Sequence, residues 1–129
     1  MSGRFLSISL LFLCSCMGNI EKNIFCDLTI KANVSDGRNI VTMTVDESLA
    51  GSIIMNLNTS QDFDYPVFVN GKGEVRLLKG VYMMAFDADA TFEDGSTGRV
   101  RCSQYNSPDK TISLTGDSEE ITLELYYIN

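Results

Sequence analysis

A chain of 129 residues with 44% hydrophobic and 21% charged side chains is long enough to bury one core, and its composition excludes intrinsic disorder. Its formal net charge is −7; without residues 1–15, whose only charged side chain is Arg4, 9 basic residues face 17 acidic ones, which excludes a surface built to bind phosphate backbones. The chain holds no histidine, which removes Ser-His and Cys-His nucleophile pairs and the commonest metal ligand.

Residues 1–4 carry one positive side chain, residues 5–13 (FLSISLLFL) are apolar, and Cys14-Ser15-Cys16 follows. That order reads as a secretory signal, and the apolar run is short of the about 20 residues that span a bilayer. Leu13-Cys14-Ser15-Cys16 resembles the bacterial lipobox: an aliphatic residue, two small residues and an acceptor cysteine. The resemblance implies cleavage before Cys16, diacylglycerol on its thiol and acylation of its amino group. An ordinary signal peptide cleaved nearby is the competing reading. Residues 1–15 are then a lipoprotein signal peptide, 16–23 the lipidated cysteine and a tether, and 24–129 one β domain. The product is exported and lipid-anchored, with the outer membrane as the expected location. With Cys14 removed and Cys16 acylated, Cys26 and Cys102 remain, and an even pair in an exported domain reads as one disulfide.

Residues 26–34 alternate, with Cys26, Leu28, Ile30, Ala32 and Val34 on one face of a half-buried strand. Asp36-Gly37 suits a two-residue hairpin turn that would pair Ala32 with Val41, Ile30 with Met43 and Leu28 with Val45. Residues 52–58 predict a third strand with Ile53, Met55 and Leu57 inward. Residues 59–64 read as a loop, and 65–69 as a short strand that Pro66 places at an edge or a strand start. Residues 70–73 (NGKG) form a turn before an alternating strand over 74–78. Residues 81–92 predict the longest strand, with Tyr82, Met84, Phe86, Ala88, Ala90 and Phe92 on one face. Residues 93–98 turn the chain into a strand that buries Val100 and Cys102. Residues 111–115 and 120–128 are the last two strands, with 116–119 as a tight turn folding one onto the other. No stretch has sustained helical periodicity. The expected fold is all-β: an antiparallel sandwich of about eight strands.

Residues 73–77 (GEVRL) and 80–86 (GVYMMAF) resemble a signature of transthyretin-like and carboxypeptidase-regulatory-like domains: a glycine turn, an alternating strand, then glycine, one residue, tyrosine and another alternating strand. Similar text occurs in lipoproteins related to fimbrillin-type pilus proteins. The resemblance implies an Ig-like or prealbumin-like sandwich that binds, spaces or assembles.

Candidate sites are few. Asp87 and Asp89 place two carboxylates on one outward face, a weak metal candidate that competes with a solvated polar face. Phe63 and Tyr65 flank a polar loop, where aromatic rings stack on sugars or anchor proteins, or else cover the end of the core. No residue set points to catalysis, and no cofactor is implied. The chain is read as a non-enzymatic, membrane-anchored domain binding an envelope protein or an extracellular ligand such as a glycan; the alternative is a structural subunit or anchor of a fimbrillin-type pilus. Nucleic acid is excluded as a partner on charge. If Cys16 carries the anchor, Cys16→Ala abolishes metabolic labelling of the protein by fatty acids; undiminished labelling would contradict the assignment.

Overall fold

The computed structural model describes residues 23–49 and 51–128. The expected signal peptide, Cys14, Cys16 and the expected tether through residue 22 lie outside the described residues. Ten strands form one sheet: β1 (Phe25–Val34), β2 (Ile40–Val45), β3 (Ile53–Asn56), β4 (Gln61–Phe63), β5 (Phe68–Val69), β6 (Lys72–Leu78), β7 (Gly80–Phe92), β8 (Thr97–Tyr105), β9 (Ile112–Leu114) and β10 (Ser118–Ile128). Seven of them close a ring in the order β2-β5-β6-β1-β10-β8-β7 and back to β2. Strands β3 and β9 flank opposite edges of the start of β7, and β4 extends β3.

The fold is all-β, as the sequence predicts, but the sheet is mixed. Strand β10 runs antiparallel to β8 and parallel to β1. The parallel register sets Ile30 beside Ile121, Ala32 beside Leu123 and Val34 beside Leu125, so inward residues of the first and last strands meet on the core face. The buried stripe of β1 is Cys26, Leu28, Ile30, Ala32 and Val34, and that of β7 is Tyr82, Met84, Phe86, Ala88, Ala90 and Phe92, both as expected from alternation.

Several pairings differ from the expectation. Strands β1 and β2 do not form a hairpin. The turn forms one residue early, with the Gly37 N–H donating to the Val34 carbonyl, and the chain then crosses the barrel end. Strand β2 lands beside β7, with Met43 opposite Ala90 and Val45 opposite Ala88. An irregularity between Ile40 and Thr42 turns Val41 outward. Nor do β9 and β10 pair: β9 joins β7, and residues 115–118 carry the chain across to β1. Glu119 supports that crossing, its Oε2 accepting the N–H groups of Thr115 (2.8 Å) and Gly116 (2.7 Å). Alternation reports which face of a strand is buried; in a ring, that face is the same whichever neighbour the strand takes.

Strand β3 has the opposite phase from the one expected. Ser52, Ile54 and Asn56 are buried and Leu57 is exposed. The polar residues turn inward because they serve the backbone. The Asn56 Oδ1 accepts the N–H of Asn58 (2.8 Å) and of Thr59 (3.1 Å), and the Asn58 Oδ1 accepts that of Val81 (2.9 Å). Gly80 permits this close approach, since a Cβ there would stand 2.7 Å from the Asn58 Oδ1. Residues 61–63, expected in a loop, form β4 against β3. Asn70 and Gly71 have φ of 54° and 74°, the paired positive values of a two-residue hairpin turn joining β5 to β6.

The expected disulfide is not formed: Cys26 and Cys102 are free and buried. They flank β10 from opposite sides, Cys26 level with Asp117 and Cys102 level with Leu125. Eight positions of strand cover on the order of 25 Å, whereas a disulfide needs Cα atoms within about 7 Å. Burial raises the pKa of both thiols and so disfavours the reactive thiolate.

Two outcomes follow from this arrangement. Truncation after Ser118 removes Leu123 and Leu125, each worth about 1.5–3 kcal/mol on burial, and opens the ring between β1 and β8. Circular dichroism and thermal melting of that product should show no cooperative transition. Mass spectrometry after alkylation without reductant should show no label at Cys26 or Cys102 in native protein, and one label at each in denaturant.

Candidate functional site

The β7–β8 hairpin turns over Glu93–Gly95, with the Phe92 N–H donating to the Ser96 carbonyl and Gly95 at a φ of 86°. This register sets Asp87 opposite Arg101 and Asp89 opposite Arg99 on the outward face of the barrel. The Arg101 Nε and Nη2 donate to the two carboxylate oxygens of Asp87 at 2.7 and 3.0 Å, a bidentate fork. The Arg99 Nη1 donates to the Asp89 Oδ1 at 3.1 Å, and its Nη2 reaches the Asp46 Oδ2 just beyond β2. Residues 46–49 and 51–52 fold over the end of this ladder. The Asp46 N–H donates to the Asp87 carbonyl, and the Ser52 Oγ accepts the Asp87 N–H. Asp87 is therefore only 9% exposed although it points outward.

A groove of about 400 Å³ runs along this face. Its lining includes Leu49, Ser52, Arg101, Ser103, Asn106 and Tyr126. The Ser103 and Tyr126 hydroxyls are 3.1 Å apart, and the Tyr126 ring is partly exposed. The floor coincides with an irregularity in the β7–β8 pairing between Met84 and Phe86. Two wider depressions, one of about 590 Å³ at the β1–β2 connection and one of about 660 Å³ over β1, β6 and β10, contain no buried charged side chain.

Two carboxyls of this face, Asp46 and Asp87, are held in their ionised form. Hydrogen bonds from the Ser48 hydroxyl and then from Arg99 bring Asp46 down to about 2. The Arg101 guanidinium holds Asp87 below its ordinary value. The ladder thus offers fixed charge and hydrogen-bond donors.

The residues singled out in the sequence are placed as follows. Asp87 and Asp89 are each engaged by an arginine, and among the described residues no three Asp, Glu or Cys side chains gather as a metal site. Tyr65 is a core residue that offers no ring face to a ligand. Its hydroxyl donates to the carbonyls of Ile53 (2.9 Å) and Ala85 (3.1 Å), and its ring lies edge-on to Phe86 at 4.8 Å. Phe63 is half-buried against Tyr82. The sequence reading missed Asp46, Arg99, Arg101 and Tyr126. Folding residues 87–101 about Asp94 would have set both aspartates opposite both arginines, a signal present in the chain. Tyr126 carries no such signal, because its place depends on β10 lying beside β8. No protein-family model matches the chain, and no curated protein or solved structure shows significant similarity to it.

Both carboxyls have lower pKa values in the folded chain than in the unfolded one, so their contribution to stability is complete above the ordinary carboxylate value of 3.8 and is lost as pH falls through the folded values. Thermal melting should show stability declining from about pH 4 toward about pH 2, and Asp46→Asn should flatten that decline. An unchanged acid limb in Asp46→Asn would show that the ladder does not couple to folding.

Proposed function

We propose that this chain is an exported, lipid-anchored, non-enzymatic binding domain that uses the β7–β8 groove to hold an envelope protein or a glycan. The observation that carries this reading is the nearly buried Asp87 fixing the Arg101 guanidinium at the groove, beside the partly exposed Tyr126 ring and the Ser103 and Asn106 side chains. A planar donor set next to an aromatic ring suits ligands rich in hydroxyl and carbonyl oxygens. Asp87 and Arg101 neutralise one another, which favours a neutral glycan or a polar protein loop over a polyanion. The lipid anchor rests on the Leu13–Cys16 pattern, and residues 16–23 serve as its tether.

The ring is read here as a flattened Ig-like or prealbumin-like sandwich. The Tyr82 hydroxyl supports this, donating to the Leu78 carbonyl four residues upstream at 2.6 Å, as a tyrosine-corner contact does. The position of β10 inside the ring favours a self-contained binder over a pilus subunit that donates its last strand.

The test is a neutral-glycan array, run in parallel with in-cell cross-linking, using the intact protein and the Arg101→Ala and Tyr126→Ala variants. Captured glycans or discrete partners should weaken by about tenfold or more in both variants, with melting curves confirming that each folds. Partners retained equally by both variants would remove the groove from the function, and ladders of the chain itself would favour the pilus.

A further inference from the structure

The two ends of the barrel differ in chemistry. One end is charged: Arg38 lies 4.1 Å over the Phe92 ring and donates to Asp36, Ser96 and Tyr127, with Asp94 alongside. The other end is formed around the β6–β7 corner at Gly80. There the Ile24 carbonyl accepts the Lys79 N–H at 2.8 Å, and the Leu57 N–H donates to the Val81 carbonyl at 2.8 Å. Both residues are therefore held within one position of Gly80 in the chain order of their partners. Ile24 is 58% exposed, and Leu57 and neighbouring Phe25 are each 38% exposed. Their exposure is fixed by backbone bonds, since the Asn56 and Asn58 side chains lock the turn that carries Leu57.

From this asymmetry we infer that the β6–β7 end rests its exposed Ile24, Phe25 and Leu57 on a lipid surface, with the charged end turned away. The inference builds on the lipid-anchor reading, which supplies the proximity. Residues 16–23 extend to at most on the order of 30 Å, and they join the fold at Ile24, on this same rim. The nearby ions are paired, Arg76 with Asp27 at 3.4 Å and Lys79 with Asp117 at 2.6 Å. The rim thus carries no excess of positive charge, and its attraction is for the headgroup boundary of a zwitterionic bilayer. A contact of three side chains orients a domain that the acyl chains already retain.

The experiment replaces the acyl anchor so that its result does not depend on acylation. Residues 17–129, which contain all ten strands, are given an N-terminal hexahistidine and bound to phosphatidylcholine vesicles containing a nickel-chelating lipid. Hydroxyl-radical footprinting is read by peptide mass spectrometry against the same vesicles without the chelating lipid. Oxidation at Ile24, Phe25 and Leu57 should fall severalfold, while Val67 and Val69, exposed on the barrel side, keep their labelling. Equal labelling at Ile24 and Leu57 with and without tethering, or protection spread evenly over Val67 and Val69, would overturn the docking face. Loss of fatty-acid labelling is tested separately at Cys16, so the failure of the anchor and the failure of the docking face are distinguishable.

Discussion

The ring closes because β10 satisfies two neighbours of opposite direction. Its hydrogen bonds to β1 are parallel and those to β8 antiparallel, and Leu123 and Leu125 anchor the same strand in the core. Without it, the strand that opens the fold and the hairpin that carries the groove would each present a free edge, which is a hazard for any sheet. Strand β7 is the complementary element. Its 13 residues reach β2 and β3 on one edge and β8 and β9 on the other, so the groove face and the Gly80 rim share one rigid strand.

Electrostatics on this surface are organised by three arginines. Arg38 bridges the β1–β2 connection, the β7–β8 turn and the end of β10. Arg99 joins β2 to β7, and Arg101 fixes Asp87. A planar guanidinium can serve several acceptors at once, which is why arginine rather than lysine occupies each junction. On a chain with an excess of acidic side chains, these contacts place the few cations where carboxylates would otherwise repel one another.

The strand faces of β1 and β7 were legible in the sequence because β1 alternates along its whole length and β7 from Phe86 to Phe92, and burial follows that alternation with Asp87 as the exception. The partners of those strands were not legible. Asp36-Gly37 looks like a hairpin turn, yet Arg38 draws the chain over the barrel end. Residues 116–119 look like another, yet Glu119 caps a crossing between neighbours. The phase of β3 was inverted because Ser52 and Asn56 are polar by type but buried by role, as acceptors for backbone N–H groups. Tyr65, for which the sequence left open a ligand-facing ring or a cover for the end of the core, takes the second place because two backbone carbonyls inside accept its hydroxyl. In each case a single hydrogen-bond network outweighs the local pattern, and such networks join residues far apart in the chain.

The parallel pairing of the first and last strands has a consequence for the order of events in folding. A chain made from its N-terminus presents β1 early, but one edge of β1 stays vacant until residues 118–125 have emerged. This contact spans nearly the whole domain and carries a high loop-closure cost, so it belongs to the slow, non-local class of folding steps. The ring therefore cannot complete before synthesis of the chain is nearly finished, and until then the first strand waits with one edge unpaired.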